Sequence, residues 1–451
     1  MSKFFCARRV LLFCLIAVFI IDFPLLAQRT GYSPDEFMQR RDALMEKIDN
    51  GMIILFGDPI SPPGVHFRQN NDFFYFTGVN ETNAMAVLMP ESKKSHLFLP
   101  QQTPREEMID GPNLLKDPKA KEKTGFDEIY SVTYLDEFIA RNSRGGNLVF
   151  HMRLVPADVI DNARWETGIF EGRKNRNHYN DQISLDNYRI ARLKERYPAY
   201  QFKDISEHID LMRVIKSPEE IEILRRNGKI SAEAVKQAML ASRPGGFEYE
   251  VEAAAMYEVL RNGCRGFAYP PIVGSGPNSC IWHYSENSRQ MEDGDIILMD
   301  FGGDLDHQCM DISRTWPVSG KFTQEQREAY KVALEVQKAC IDAYRPGVTS
   351  QDVRDHVAEV MKEKGIDPRG LTGGIGHYVG MATHDVGPRG VPLQEGMVFA
   401  IEPGLYYPEK ELGIRIEDTV LITADGCEVL TKDVPKEIDE VEALLDQRKM
   451  K

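Results

Sequence analysis

Asp300, Asp311, His377, Glu402 and Glu417 are the residues of this 451-residue chain whose types and surroundings point most directly to chemistry. Asp300 ends the apolar run IILMD and Asp311 opens the run DISRTWP. Glu402 closes VFAIEP, and in GIRIEDTVLI the residues Arg415, Glu417 and Thr419 alternate onto one face. A carboxylate inside an apolar strand is costly unless it is paired or bound to a cation. Taken singly, each acid reads better as a satisfied buried carboxylate, and His377 as a core histidine. Four such acids in one region fit that reading poorly. Four carboxylates with one imidazole and no thiolate form an oxygen-dominated donor set. It suits a pair of Mn²⁺, Co²⁺, Fe²⁺ or Zn²⁺ ions rather than a structural cysteine-zinc site. Such pairs lie ~3.5–4 Å apart and generate a hydroxide from a bridging water at neutral pH.

The two aspartates belong to DIILMDFGGDLDHQCMDISRTWP, residues 295–317. It reads as a strand, a polar turn over 304–307 and a returning strand over 310–316. Centring the hairpin between Leu305 and Asp306 sets Asp300 opposite Asp311 and Leu298 opposite Ser313. Directly opposed residues hold their Cβ atoms about 4.5–5.5 Å apart, so two acids there want a proton or a cation between them. A solvent-exposed hairpin is compatible with the same stretch.

The supporting elements fall into two parts. Residues 33–47 read as an amphipathic helix, with Ser33 as N-cap and Pro34 at the first position. Short apolar segments at 52–56, 73–76, 84–89 and 96–99 suggest strands alternating with helices up to about residue 200. The aromatic stretch FRQNNDFFYFTG reads as core packing of Phe73, Tyr75 and Phe76. No phosphate loop, nucleophile elbow or HExxH occurs here, which marks a supporting domain. After a boundary near 204–216, Ser217, Pro218 and Glu220 form a capping box. The chain then repeats itself: 229–263 and 331–365 both read helix, Arg-Pro-Gly, helix, Gly. Arg243-Pro244-Gly245 matches Arg345-Pro346-Gly347, and Gly263 matches Gly365, at an offset of 102. Each half continues into a glycine-rich, strand-rich segment, PIVGSGPNSCIWHY with a strand delivering His283, and GGIGHYVGMATHDVG with His377 and His384. Two related α/β halves around an interface are a favoured place for a pocket. The tail from Pro435 reads as a polar surface helix.

Composition sets the outer bounds. With 42% apolar and 27% charged residues, the chain is globular and long enough for two or three domains. A net charge of −14 argues against a nucleic-acid partner. Lys3, Arg8 and Arg9 precede an apolar run over 10–21, and Leu25-Leu26-Ala27 offers a small residue for cleavage. This is the pattern of a secretory signal peptide. Asp22 and Pro24 cut the run short of the ~20 residues a membrane span needs, and no later stretch could cross a bilayer. Two of the seven cysteines, Cys6 and Cys14, would leave with the signal. The remaining five form neither a disulfide framework nor a CxxC zinc pattern. The expected organisation is a signal at 1–27, an N-terminal mixed α/β domain at 28–205 and a catalytic domain at 206–451, in an exported protein, periplasmic or secreted.

The motifs MDFGGDLDHQCMDISRTWP, GHYVGMATHDVG, AIEPGLYY and GIRIEDTVLI resemble the metallopeptidases of the "pita-bread" fold, a family that includes aminopeptidase P, prolidase and methionine aminopeptidase. SCIWHYSEN, KFTQEQREAY, SPEEIEILRRNGKI and RQNNDFFYFTG resemble the aminopeptidase P branch in particular. The resemblance implies an α/β (α+β) chain whose second domain is a pita-bread domain with a pseudo-twofold repeat. It implies metal ligands at Asp300, Asp311, His377, Glu402 and Glu417, with Asp300 chelating one ion, His377 completing the other site and the remaining three bridging or sharing the pair. Glu402 would accept a proton from the bridging water. His283 and His384 would contact the substrate carbonyl and its oxyanion, Arg415 would orient the carboxylates, and Tyr406 would line the site. Two divalent ions, Mn²⁺ before Co²⁺, Zn²⁺ or Fe²⁺, are the implied cofactors. The implied substrates are peptides with proline second, with the first domain capping the cleft and a homo-oligomer as the assembly. One position departs from the family pattern: Gly373 stands where a histidine usually lies four residues before the His ligand. That bears on proline selectivity rather than on metal binding. The alternatives are an Xaa-Pro dipeptidase (prolidase), a methionine aminopeptidase, a non-peptidase binding module and a creatinase-like amidinohydrolase. The last two are expected to lack the ligand carboxylates, all of which are present here.

Overall fold

The computed structural model describes residues 31–61, 66–143, 148–154, 172–173, 176–177, 179, 183–365 and 375–450, so that segment 1–27 and Gly373 lie outside the described residues. The first unit is built on a six-stranded mixed sheet. Met52–Phe56, Met85–Met89 and Lys94–Leu99 form its antiparallel centre, and parallel strands Glu128–Ser131, Val149–Met152 and Gln201–Asp204 extend its two edges. Ser33 caps the helix Pro34–Met45 as expected, its hydroxyl accepting from Glu36 N. The reading of 73–76 as a strand is corrected: these residues lie in a helix, Asn71–Thr77. Asn70 caps its start, and Gly78, with φ +63°, ends it in a left-handed turn. Every residue of this helix is buried, so it shows no amphipathic stripe by which its period could be read.

In the second unit the capping box forms as expected at the head of the long helix Pro218–Ala241. The repeat is also present. Helices Pro218–Ala241 and Glu248–Arg261 in the first half match Gln324–Ala343 and Ser350–Glu363 in the second. Gly245 and Gly347 have φ of +80° and +88°, and Gly263 and Gly365 have +92° and +70°, so the repeated glycines make the same left-handed turns. The first half carries the sheet of Ile272–Ser275, Ile296–Phe301 and Ile312–Pro317. The second carries His377–Tyr378, Val398–Ile401, Asp418–Ile422 and Cys427–Val429. The C-terminal helix Ile438–Asp446 is not merely a polar surface element, because Val441 and Leu445 are buried in the main core.

The central hairpin forms with a different register from the one expected. Asp300 pairs with Ser313, Leu298 with Thr315 and Leu305 with Gln308. The tip is therefore Asp306-His307, both left-handed with φ of +51° and +64°, as a two-residue turn matched to strand twist requires. The shift is two residues on the partner strand, so no side chain changes face. Asp311 becomes the diagonal neighbour of Asp300 instead of its direct partner.

This tip reaches into the first unit. His307 is buried and stacks on Phe74 with ring centroids 3.7 Å apart. Its Nε2 lies 3.2 Å from Asn80 Oδ1, and Gly31 N donates to Asp306 Oδ2 at 2.8 Å. One apolar core runs from Phe37 and Phe74 through Ile223 and Leu305 to Trp316, so the two units share an interior.

Burial, assisted by the nearby Arg68 and Arg265 charges, pushes the His307 imidazole well below its ordinary range. Below about pH 6.5 the unfolded chain binds a proton that the folded chain refuses, so this contribution is complete above that pH and is lost as pH falls toward the folded-state value. The variant His307→Asn keeps a residue tolerant of left-handed backbone. It is expected to melt lower than wild type at about pH 8, yet to lose less of its midpoint between about pH 7 and 5. Calorimetry across that range measures the difference.

Candidate metal centre

The nine residues singled out in the sequence, His283, Asp300, Asp311, His377, His384, Glu402, Tyr406, Arg415 and Glu417, all line one cavity of about 310 Å³. Of the four acids, only Asp300 lies within a regular ladder. The expectation of four acids inside strands is corrected for the other three. Asp311 sits between Gln308–Cys309 and Ile312–Pro317, Glu402 one residue beyond Val398–Ile401, and Glu417 between Leu412–Arg415 and Asp418–Ile422. At such ends and handovers the backbone leaves one sheet for another, and side chains from separate sheets can converge. Asp300 and Glu402 also stand 102 residues apart, the offset of the helical repeat, so the two halves contribute acids from equivalent strand ends. His283 is likewise not on a strand. Ile272–Ser275 runs into the short 3₁₀ turn Gly276–Cys280, and His283 follows in a further turn.

Two groups of donor atoms lie within 4.8 Å of one another: Asp300, Asp311 and Glu417, and Asp311, His377 and His384. Asp311 belongs to both. His377 Nε2 is 3.4 Å from Asp311 Oδ2 and 3.6 Å from Glu402 Oε1. Its Nδ1 lies 3.1 Å from the carbonyl of Tyr378 and donates to it, which fixes the tautomer and leaves Nε2 free to act as a ligand. The His377 and His384 ring centroids are 4.0 Å apart. Glu402 stands at the wall of the cavity, outside both groups, with its side chain 26% exposed.

A buried guanidinium organises the acids from behind. Arg415 is buried; its Nη2 donates to Asp300 Oδ2 at 2.5 Å, its Nε to Ser313 Oγ at 2.8 Å and its Nη1 to Tyr406 Oη at 2.8 Å. Ser313 in turn donates to Glu417 Oε2 at 2.7 Å. The register that set Ser313 opposite Asp300 therefore places a hydroxyl between Arg415 and Glu417. Thr419, on the same face as Arg415 and Glu417, bonds the Asp311 carbonyl through Oγ1 at 2.7 Å.

Sequence reasoning missed Tyr269 and Trp282. The Tyr269 hydroxyl donates to the carboxylates of both Asp300 and Asp311, and is 2.5 Å from the latter's Oδ1. Trp282 packs against Tyr406 at the cavity's edge, ring centroids 5.5 Å apart. Neither lies in a spacing with chemical meaning, and an aromatic residue beside a glycine-rich turn carries no such signal. The expected cap by the first domain is not seen in the lining, where every described residue comes from Tyr269 onward.

The electrostatics test whether these residues fit a metal pair. Burial raises the Asp300 carboxyl, with the Asp311 charge adding to it and Arg415 opposing. Burial and the charges of Asp311 and Asp300 push Glu417 well above the usual carboxylate range. Burial would lower His377, yet its bond to Asp311 and the Glu402 charge push it up to about 9. Burial would raise Asp311, but hydrogen bonding and charge from His377 outweigh it and hold this carboxyl below the usual range. With only protein groups counted, the cluster gathers protons onto Asp300, Glu417 and His377 to offset its own negative charge. Divalent cations meet the same demand, and the oxygen-rich donors suit them. The residues fit.

Residues 222–424 match the metallopeptidase family M24, and residues 37–150 match the N-terminal domain of aminopeptidase P. The chain is 36% identical over 453 residues to the Xaa-Pro aminopeptidase of Escherichia coli (strain K12), covering 92% of this chain and 98% of that protein. It is 32% identical to the mitochondrial intermediate cleaving peptidase 55 of Arabidopsis thaliana, over 92% of this chain and 84% of that one. The structure resembles E. coli aminopeptidase P with the inhibitor Pro-Leu, with a TM-score of 0.78 and 33% identity over 93% of this chain and 100% of that one. It also resembles a putative aminopeptidase P from Bacillus anthracis, with a TM-score of 0.81 and 26% identity over 92% of this chain and 99% of that one. Full-length likeness, both domain matches and a cluster of acids and histidines that fits divalent metals agree: the chain belongs to the metallopeptidase family M24, in the group that carries an aminopeptidase P N-terminal domain.

Proposed function

We propose that this protein is an Xaa-Pro aminopeptidase that removes the N-terminal residue from peptides with proline at the second position. The observation that carries this reading is the pair of donor groups sharing Asp311 at the wall of a cavity of about 310 Å³. That volume is at the small end of ligand pockets and matches a chain end better than a long peptide segment. The names of the full-length relatives favour the aminopeptidase over a prolidase. Two divalent ions held there, Mn²⁺ by preference, would lower the pKa of water and supply Lewis acidity.

In this reading Asp300, Asp311 and Glu417 hold the ions through their carboxylate oxygens, His377 through Nε2, and Glu402 from the cavity wall. Glu402 also accepts the proton of the attacking water, as its partly exposed carboxylate allows. His384 and His283 face the substrate carbonyl and stabilise the oxyanion that develops there. Arg415 opposes protonation of Asp300 and directs its carboxylate, while Tyr406 and Trp282 border the space for the substrate's side chains. The segment 1–27 directs export, which places the enzyme in the periplasm or outside the cell, acting on peptides there.

Xaa-Pro-Xaa and Xaa-Pro peptides, with Xaa-Ala controls, test the assignment in Mn²⁺-loaded protein. Cleavage of the tripeptide before proline is expected. Asp311→Ala should reduce it by more than the about 10–100-fold typical of removing an outer partner of a ligand. Turnover of dipeptides alone would move the assignment to prolidase, and no metal-dependent cleavage of any peptide would remove the peptidase. A second test needs no substrate. Adding a divalent ion at about 100 times its Kd should stabilise metal-free protein by about 2.7 kcal/mol. Differential scanning calorimetry should show this rise in midpoint, reversed by chelator and largely missing in Glu417→Gln.

A further inference from the structure

The loop that carries His384 is gripped from the first unit. Residues Arg68 and Asp72 belong to the aromatic stretch that the sequence assigned to core packing, and neither lines the cavity. Arg68 donates through Nη2 to the carbonyl of Met381 at 2.9 Å and through Nε to Asp304 Oδ2 at 2.8 Å. Asn71 Oδ1 accepts from its Nη1 at 2.5 Å. One guanidinium thus ties the His384 loop to the hairpin that bears Asp300 and Asp311. Cys309 N, on that hairpin, donates to the Gly380 carbonyl at 2.7 Å and makes the same connection through the backbone.

Asp72 reaches the loop through a second arginine. Its Oδ1 accepts from Arg213 Nη1 at 3.0 Å, and Arg213 Nη2 donates to Asp385 Oδ1 at 2.5 Å. Asp385 is the residue after His384, and its other oxygen accepts from Lys216 Nζ at 3.1 Å. Arg153 bonds both Asp72 and Asp210, which extends the network, among the described residues, to three acids and three bases, of which Asp72, Arg213, Lys216 and Asp385 are buried. A buried network of paired charges is held to one geometry, because losing a member leaves its partner's charge without compensation. The loop is moulded to it. A Cβ on Gly380 would stand 2.0 Å from Asp385 Oδ2 and 2.5 Å from Lys216 Nζ.

We propose that Arg68 and Asp72 are positioning residues for His384, through which the N-terminal unit holds the histidine loop against the hairpin that bears Asp300 and Asp311. Its catalytic consequence rests on the assignment of His384 made above; the mechanical one does not.

The variants Arg68→Ala and Asp72→Asn test this in the full chain. Glu219→Ala serves as the control: it severs the Ser33 contacts to Glu219, at 2.7 and 2.8 Å on the same interface, and touches nothing on the loop. Hydrogen exchange of metal-free protein, followed by mass spectrometry, should show residues 379–387 exchanging at least about tenfold faster in the two loop variants and unchanged in the control. With a cleavable Xaa-Pro peptide, kcat should fall about 10–100-fold in both, with KM within about twofold and metal content unchanged. Unaltered exchange in 379–387 would overturn the proposal, as would equal loosening of that segment by Glu219→Ala. Faster exchange with undiminished kcat would keep the mechanical link and overturn its catalytic role. A wild type inactive on every peptide would instead remove the proposed function and leave the exchange result to judge the positioning.

Discussion

Negative charge buried without enough positive charge of its own is the condition around which this protein is arranged. Asp300, Asp311 and Glu417 are buried, Glu402 is close by, and the cation that contacts them from the interior is Arg415. Isolating acids in this way would cost more than a domain's whole stability if they remained ionised and unpaired. The site answers with Tyr269, Ser313, Thr419 and Arg415, each of which hydrogen-bonds a member of the cluster, and with an appetite for cations that protons alone meet imperfectly. The same imbalance that opposes folding is what a metal centre draws on.

Positioning such a cluster needs a frame that does not yield to it. The acids come from strand ends in two halves of a repeat, where hydrogen-bonded ladders fix the backbone up to the residue that matters. Behind them, helices related by an offset of 102 residues pack on each sheet in the same sequence of turns. Asp300 takes its rigidity from within a ladder, while Asp311, Glu402 and Glu417, at strand ends, keep the freedom of approach that a ladder interior denies.

The N-terminal unit contributes differently. It adds no described residue to the cavity wall, but it receives the tip of the central hairpin, with His307 stacked on Phe74, and shares one apolar core with the second unit. Hairpin and histidine loop are each bonded to it and to each other. Opening the interface would move groups on both sides of the cluster, which is a physical reason for a peptidase to retain a large domain remote from the reacting atoms.

The sequence by itself determined the residue types of the site, the capping box at Ser217 and the helical repeat. Each depends on residue identity, on neighbours a few residues apart or on a match between local motifs, and the resemblance to a known family added the grouping of the site residues. Tertiary structure decided the rest. The hairpin register moved by two residues because the left-handed pair Asp306-His307 makes the turn, and its His307 is held by aromatic contacts with Phe74 more than two hundred residues away. The stretch 73–76 became a helix because caps at Asn70 and Gly78 and burial on every side outweighed its strand-like composition. Tyr269 joined the site, and Arg68 and Asp72 the loop's anchorage, through contacts that no local pattern records. Spacing along a chain encodes periodic structure, whereas the meeting of distant side chains is settled by how the sheets and cores pack.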